Sequence, residues 1–499
     1  MRRYMRFFSR DPRKKKLFFC IAAAILVLAL SGTAFAANGK PSGATPSQTM
    51  LATILSAIVA CVFLTIGILL AMRKDEMHLS NGWQMFLFAA VCAAGLRLIA
   101  AAIYPGYGSD LACFTGWSDA VYKYGFSGLY TSSDVFIDYP PGYMYVLYVI
   151  GFIKSALGIG YSSALSVILI KTPAIIADMM IAIILYRIAS REENRMFGLL
   201  CSCLVLFNPA VFFDTAVWAQ MDSVFILFVV LNIYYLRQER YILGAVFFAV
   251  ALLVKPQAVM FLPVVGLAYF YALFKRGGFG KALGGIFGGL LAGAAVFAAG
   301  VLPFMLESVS PFAFNQDPSW IVGKYIGTMQ SYRYYTLNAF NLYAAAGGNW
   351  LSFDAPFLSF EYRVWMSASI VLICVAVIVL QWRSREKRRL FEIAAFLIIS
   401  LFMLAPMMHE RYILPACVLT LFAYAYSRDL VTLFFGCAFS FTALINQMVV
   451  LFGDSTAAAP LPALIFSAAN LGLYVAYAAL TAKKLSSGRV LIKSPGLLG

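Results

Sequence analysis

Four groups of polar residues interrupt an otherwise apolar sequence and could carry chemistry. Each group contains carboxylates, amides or cations, which are the side chains that accept protons and bind anions. The topology predicted below puts all four groups at the outer ends of membrane spans, where polar groups are costly and usually functional. The groups are Asp110 and Asp138; Asp214 and Asp222; Lys255 and Gln257; and His409, Glu410 and Arg411.

The stretch 107–143 is the longest polar, aromatic-rich interruption in the first half of the chain. It holds four aspartates and one lysine, and it contains the sequence Asp-Tyr-Pro-Pro-Gly at 138–142. Consecutive prolines restrict φ and force an extended approach, which can aim a carboxylate. We therefore interpret this stretch as an active-site loop. The alternative is a solvated loop whose charges serve only solubility.

The cationic residues have both functional and structural interpretations. His409 lies beside Glu410 and Arg411, so a base, an acid and a fixed cation share one helix start and could bind an anion. Lys255 could bind an anion or could simply extend its ammonium group to the membrane interface. Arg97 and Asp178 lie within predicted spans, and for them a buried ion pair between two spans is the favoured interpretation.

Metal and nucleotide sites have little support in the sequence. There is no His/Cys cluster with ligand spacing, so no metal ligand is assigned and no cofactor is predicted. A hard divalent ion held by Asp110, Asp138 and Asp222 is left open, since oxygen ligands need no tight motif. No glycine-rich phosphate loop follows a strand, which argues against a soluble nucleotide-sugar domain.

The composition is typical of a membrane protein. Apolar residues make up 62% of the 499 residues and charged ones 12%, which excludes an ordinary soluble enzyme. The net charge of +16 comes from Lys and Arg in the segments predicted to face the cytosol, as the positive-inside rule requires. The charge therefore indicates topology and does not indicate a nucleic-acid partner. Eight of the nine cysteines lie in apolar runs, so no disulfide framework is expected.

Apolar runs of about 20 residues recur along the whole chain and predict an all-α polytopic membrane protein with 14 transmembrane helices. Both termini are predicted to be cytosolic. The run at 17–36 is interpreted as an uncleaved anchor, with a cleaved signal peptide as the alternative. The segment 140–158 is predicted to be re-entrant or interfacial, because a crossing there would put three arginines outside. The other spans are predicted near 50–72, 83–104, 165–187, 196–213, 222–236, two within 241–274, 282–303, 362–381, 390–405, 411–427, 429–451 and 462–482.

These motifs resemble those of the GT-C superfamily of membrane glycosyltransferases, which use polyprenyl-phosphate sugars as donors. The likeness is greatest to the endoplasmic-reticulum glucosyltransferases that extend lipid-linked oligosaccharides, and to their bacterial relatives. The matching segments are Gly-Ser-Asp at 108–110 with Phe114 and Trp117, Asp-Tyr-Pro-Pro at 138–141, Thr-x-x-x-x-Ala-Asp at 172–178, Trp-Ala-Gln-Met-Asp at 218–222, Lys-Pro-Gln at 255–257 and His-Glu-Arg at 409–411. In the bacterial relatives the second residue of the Trp-Ala-Gln-Met-Asp segment is glycine.

The resemblance implies three regions. Residues 1–82 are a cytosolic flank and two additional helices, residues 83–427 are the GT-C-like catalytic core, and residues 428–499 are C-terminal helices and a cytosolic tail. Outer loops at 105–164 and 304–360, which carry interfacial or re-entrant helices, would enclose the sugar.

The resemblance also implies an inverting transfer of a hexose to a hydroxyl of an envelope glycan, lipid or protein, outside the plasma membrane. Asp110 would be the general base, with Asp138 as the second catalytic carboxylate. Lys255, His409 and Arg411 would stabilise the leaving phosphate. The expected substrate-binding residues are Trp117 and Tyr139 as stacking surfaces, together with Gln220, Asp222, Gln257 and Glu410.

Two other protein classes compete with this interpretation. A carrier or flippase for lipid-linked sugars predicts polar residues throughout the membrane depth, whereas here they concentrate on the outer side. A structural scaffold leaves the clusters at 138–142 and 407–411 unexplained. The expected partners are the polyprenyl-phosphate sugar, a hydroxyl-bearing acceptor and membrane lipid, with no nucleic acid.

Overall fold

The computed structural model describes residues 43–72, 79–132, 136–273, 279–307, 313–384, 389–453, 461–487 and 491. The predicted span at 17–36 and one of the four aspartates of the stretch 107–143, Asp134, lie outside these residues. The described part of the chain is almost entirely helical and forms two compact units. The first unit comprises residues 1–104, 178–218 and 334–499, and the second comprises 105–177 and 219–333.

The first unit is a helical bundle with one short sheet among its described residues. Its strands β1 (Thr336–Leu337) and β2 (Met408–His409) are parallel. Its helices are α1 (Pro46–Met72), α2 (Gly82–Ile103), the part of α5 (Ala164–Glu192) from Asp178 onward, α6 (Arg195–Leu206), α7 (Pro209–Phe212) with the π-helical turn Phe213–Trp218, α13 (Leu342–Ala345), α14 (Tyr362–Ser384), α15 (Leu390–Leu404), α16 (Leu414–Ser427), α17 (Leu430–Phe452) and α18 (Leu461–Ser487).

The second unit contains the acidic stretch. Its helices are α3 (Gly108–Leu129), α4 (Pro141–Ala156), the part of α5 before Asp178, α8 (Asp222–Arg237), α9 (Tyr241–Val254), the 3-10 turn Pro256–Phe261, α10 (Leu262–Leu273), α11 (Phe279–Val301), the 3-10 turn Leu302–Phe304 and α12 (Trp320–Gln330). Helix α9 packs against α8 and α11, while α3 packs against α4.

Eight helices in the described residues are long and apolar enough to cross a membrane, or nine if the bent pair Arg195–Leu206 and Pro209–Trp218 forms one span. The chain is therefore an all-α polytopic membrane protein. The apolar helices α9, α15 and α16 are shorter than this, at about 21–22 Å against a hydrocarbon core of ~30 Å. The total of 14 spans stays a prediction.

The region predicted as an active-site loop is largely helical. Phe114, Trp117, Ser118 and Val121 are buried along one side of α3, with the spacing of three and four that an amphipathic helix requires. Helix α4 has 16 residues and is about 24 Å long, shorter than the hydrocarbon core. Helix α8, in a predicted span, has the same length, so the re-entrant or interfacial path of 140–158 stays a prediction.

The predicted ion pair between Arg97 and Asp178 is confirmed. Arg97 Nε donates to Asp178 Oδ2 at 2.8 Å, and both side chains are buried in the first unit. Thr215 Oγ1 donates to the same oxygen at 3.0 Å, and Arg97 also donates to the Leu206 carbonyl at 2.7 Å. Hydrogen bonds that satisfy a buried pair offset its desolvation, so this pair joins α2 and α5 to the chain around α6 and α7.

Candidate active site

The predicted general base is held by a predicted substrate-binding residue. Asp110 lies in the first turn of α3, where the partial positive charge of the helix N-terminus favours a carboxylate. Gln220 Nε2 donates to Asp110 Oδ2 at 2.5 Å, across 110 residues of sequence. The Gln220 side chain is buried, and its Oε1 has no hydrogen-bond donor in the described part of the chain. The amide therefore orients the Asp110 carboxylate and still has an acceptor to offer.

Asp222, two residues after Gln220, belongs to a buried ion pair. Lys255 Nζ donates to Asp222 Oδ1, and both side chains are buried. Lys255 has extended backbone dihedrals at the end of α9, because the residue before a proline is disfavoured in the helical region. An extension of Lys255 to the interface is inconsistent with this burial. The charge of Lys255 is instead compensated by Asp222.

The chain preceding α4 approaches α9 closely. A Cβ atom built on Gly142 would lie 2.6 Å from the backbone carbonyl of Leu253, two residues before Lys255. Only glycine allows this approach without a shift of the backbone. The glycine of Asp-Tyr-Pro-Pro-Gly therefore lets the segment carrying Asp138 pack beside the segment carrying Lys255. Pro140 is extended, as predicted, and Pro141 is the first residue of α4, a position where proline is favoured.

Asp138 lies among both charged and aromatic groups. Burial raises the pKa of its carboxyl, and the charge of Asp110 raises this pKa further, whereas a hydrogen bond from the backbone and the cations of Lys324 and Lys255 lower it. Cys113, one turn after Asp110, has its thiol pKa raised to about 11 by burial and by the charges of Asp138 and Asp110. Asp110 is therefore close enough to Asp138 for its charge to raise the Asp138 pKa.

The aromatic residues near Asp138 form a packed support. The rings of Trp117 and Tyr139 are 5.2 Å apart between centroids, and Phe114 packs edge-on against both. Trp117 Nε1 donates to the Phe136 carbonyl at 2.7 Å, and the indole is buried. Tyr139 is only half-buried. The buried Trp117 ring thus packs on the inner side of the more exposed Tyr139 ring. Lys255 Nζ lies 5.9 Å from the centre of the Tyr139 ring.

Three residues without a predicted role donate hydrogen bonds to the backbone around Asp138. Lys324 and Thr328, on α12, donate to the carbonyls of Ile137 and Asp138, and Tyr130 donates to that of Tyr139. A spacing of four residues puts Lys324 and Thr328 on one helix face. That spacing is visible in the sequence, but the partners lie almost 190 residues away.

The cluster 409–411 belongs to the first unit and is described there by itself. Arg411 Nη1 donates to Glu410 Oε1 at 2.6 Å, and the guanidinium lies 4.9 Å from the centre of the Trp218 ring. His409 is in β2, paired with Leu337, and its ring is 5.0 Å from that of Tyr412. This arrangement fixes a cation and a carboxylate beside an aromatic ring.

The remaining predicted residues take less central positions. Gln257 is half-buried in the 3-10 turn after Lys255. Asp119 forms an ion pair at 2.6 Å with Lys154, which joins α3 to α4. Asp214 is buried in the π-helical turn of the first unit. In the described ranges, no three His, Cys, Asp or Glu side chains form a group that could hold a metal ion.

Comparison with known proteins supports the chemical class. Residues 139–271 match the sequence family described as alpha-(1->6)-mannopyranosyltransferase, N-terminal domain. The matched region includes Tyr139, Gln220, Asp222, Lys255 and Gln257. A search of curated proteins found no match. Members of the matched family are mannosyltransferases, and on this match, together with the apolar helices, the chain is a membrane glycosyltransferase.

Proposed function

We propose that the chain transfers a hexose from a polyprenyl-phosphate sugar to a hydroxyl acceptor on the outer face of the plasma membrane, with inversion at the anomeric carbon. The matched family makes mannose the first sugar to test. The single observation that carries the proposal is the carboxylate of Asp110, oriented by Gln220 in the unit that also holds Asp138 and the Lys255–Asp222 pair. The acceptor would be an envelope glycan, a lipid or a protein.

The proposed reaction is a single displacement. Asp110 takes the proton of the acceptor hydroxyl as its oxygen bonds to the anomeric carbon. The bond between that carbon and the phosphate oxygen breaks, and its electron pair leaves with the polyprenyl phosphate. Because attack comes from the face opposite the leaving group, the configuration inverts. The reaction needs no acid for the phosphate and no metal at the base.

Lys255 is the proposed cation for the leaving phosphate. An ammonium group has three N–H donors, so Lys255 can bind Asp222 and a phosphate oxygen together. The ion pair holds the ammonium group in place before the donor arrives, which is the arrangement that stabilises developing negative charge most effectively. His409, Arg411 and Glu410 stay separate predictions for phosphate and substrate binding, from the first unit.

The sugar would stack on Tyr139, with Trp117 supporting that ring from behind. Asp138 would hold the acceptor through its carboxyl group, while Asp222 and Gln257 would line the donor side. Gln220 would act through the orientation of Asp110 and through its buried Oε1.

The deciding experiment is Asp110→Asn in purified protein with polyprenyl-phosphate mannose. The substitution retains shape and hydrogen bonding but cannot accept the acceptor's proton, so transfer should fall by ~10²–10⁴-fold. Donor binding, measured separately, should survive. Asp317→Asn is the matched control, because it removes an exposed carboxylate from the same unit.

The experiment also tests the alternatives. Transfer at the wild-type rate in Asp110→Asn would eliminate Asp110 as the base and make Asp138 the next residue to test. Donor binding without transfer to any acceptor, in wild type and variant alike, would favour a carrier for lipid-linked sugars over an enzyme.

A further inference from the structure

The backbone around Asp138 is held at four consecutive carbonyl groups by side chains from two helices. On α3, Trp117 donates to the carbonyl of Phe136 at 2.7 Å and Tyr130 to that of Tyr139 at 2.9 Å. On α12, Lys324 donates to the carbonyl of Ile137 at 2.5 Å and Thr328 to that of Asp138 at 2.6 Å. These four carbonyl groups thus take their hydrogen bonds from side chains, as backbone groups outside helices and sheets must when they are withdrawn from water. This degree of restraint indicates a segment whose geometry matters.

Helix α12 also fixes the segment that leads to Lys255. Tyr325, next to Lys324, donates from its hydroxyl to the carbonyl of Leu252 at 2.6 Å. One helix therefore contacts both the chain before Asp138 and the chain before Lys255. The other face of α12 exposes the apolar side chains Val322 and Ile326. The hydrogen bonds from Lys324, Tyr325 and Thr328 lie on the side of the candidate site.

Lys324 differs from the other donors because it brings a charge. Its ammonium group is partly buried and lies 5.3 Å from the centre of the Tyr130 ring. Burial lowers the pKa of Lys324, and the charge of Asp138 raises it. The interaction is mutual, since the Lys324 cation lowers the pKa of Asp138. A neutral side chain can donate to a carbonyl in this segment, as Thr328 does to the carbonyl of Asp138. Lys324 adds a positive charge, which acts on the Asp138 carboxyl group.

We propose that Lys324 is a positioning residue for the transfer reaction, which fixes the segment carrying Asp138 through the Ile137 carbonyl and places a cation near the Asp138 carboxylate. The inference rests on the proposed function. Lys324 acts through Asp138, and its ammonium group does not bind the donor phosphate, which is assigned to Lys255.

The test compares Lys324→Met, which removes the donor and the charge, with Lys324→Arg, which retains both. A misplaced reacting group can cost on the order of 10²-fold in rate, so kcat should fall by about that factor in Lys324→Met, with the KM for the donor unchanged. Lys324→Arg should restore most of the rate. Lys123→Met is the matched control, because Lys123 is an exposed lysine on α3 that contacts Tyr124.

The pH profile separates positioning from a merely structural role. Asp138 faces Asp110 and Cys113 from α3, Tyr130 at the end of α3, Lys255 at the end of α9 and Lys324 from α12. Loss of the Lys324 cation removes a charge that lowers the Asp138 pKa, so this pKa rises. The acidic limb of the rate profile should therefore move to higher pH in Lys324→Met and stay in place in Lys324→Arg. A lower rate with an unmoved limb would overturn the proposal.

Thiol modification at Cys113 gives a readout that needs no transfer activity. The Asp138 charge raises the pKa of the Cys113 thiol. If Lys324 no longer holds the segment at the Ile137 carbonyl, Asp138 is held less closely to Cys113, so the thiol pKa falls and modification is faster. Cys113 labelling, quantified by peptide mass spectrometry, should be faster in Lys324→Met than in wild type or Lys324→Arg. Equal rates in all three would refute the electrostatic link even if transfer fell. A raised KM with an unchanged kcat would instead assign Lys324 to donor binding. If the wild type shows no transfer but the Cys113 rates differ as expected, the proposed function fails while the Lys324–Asp138 link stands.

Discussion

The ion pair between Lys255 and Asp222 allows a structural role to be separated from a role in donor binding. Both side chains are buried in the second unit. Lys255→Met removes the cation of this buried pair, and loss of one partner of a buried pair costs about 3–5 kcal/mol. In the double variant Asp222→Asn/Lys255→Met no unpaired charge is left, so stability should return close to the wild-type value. Replacement of a buried pair by neutral groups is often neutral or stabilising.

Donor binding should not return with stability. If Lys255 contacts the desolvated phosphate, its loss costs about 2–5 kcal/mol in binding, or about 30- to 4,000-fold in affinity. The assay is the midpoint of thermal unfolding in detergent, followed by the affinity for polyprenyl-phosphate mannose, on wild type and both variants. Lys154→Met is the control, because it removes a buried lysine whose partner Asp119 is 44% exposed. Wild-type donor affinity in the stable double variant would refute phosphate binding by Lys255.

Two further predictions follow from backbone geometry and from topology. Ala219 has φ of 77°, which costs an L-residue about 1–2 kcal/mol, while glycine costs about 0.4–1 kcal/mol through the unfolded chain. Ala219→Gly should therefore raise the free energy of unfolding by up to about 1.6 kcal/mol. Ala216→Gly in the adjacent helical turn should lower it by about 1 kcal/mol. A destabilised Ala219→Gly would contradict the strain. For topology, Ser319→Cys should react with an impermeant maleimide in intact cells and Gln238→Cys should not, and the reverse pattern would contradict an outer site.

The features that depend on one residue and its nearest neighbours could be predicted from the sequence. The prolines at 140 and 141 predicted an extended chain, which Pro140 has, although Pro141 already begins α4. Arg97 and Asp178 predicted an ion pair because two opposite charges in apolar spans have few other ways to be satisfied. The positive φ of Ala219 is a conformation that glycine adopts without strain, so the position matches the glycine of the motif that the segment resembles.

The pairing of distant residues could not be predicted from the same rules. Asp222 and Lys255 were assigned to separate groups, and the sequence does not indicate that each compensates the other's charge. Lys324 is one lysine in a region expected only to enclose the sugar, and its partner is 187 residues away. The four aspartates of the acidic stretch favour a loop, whereas the spacing of Phe114, Trp117 and Val121 is that of a helix. The structure has the helix.

The turn at 219–222 explains why two of the predicted substrate-binding residues matter together. Ala219 is in the left-handed region, and α8 begins three residues later at Asp222. Within this turn Gln220 contacts Asp110, and Asp222 contacts Lys255. A shift of the turn would therefore disturb the orientation of the proposed base and the compensation of the proposed phosphate cation at once. Because the two contacts share one backbone segment, substitutions that distort it should affect proton transfer and donor binding together, whereas Asp110→Asn should slow transfer and leave donor binding intact.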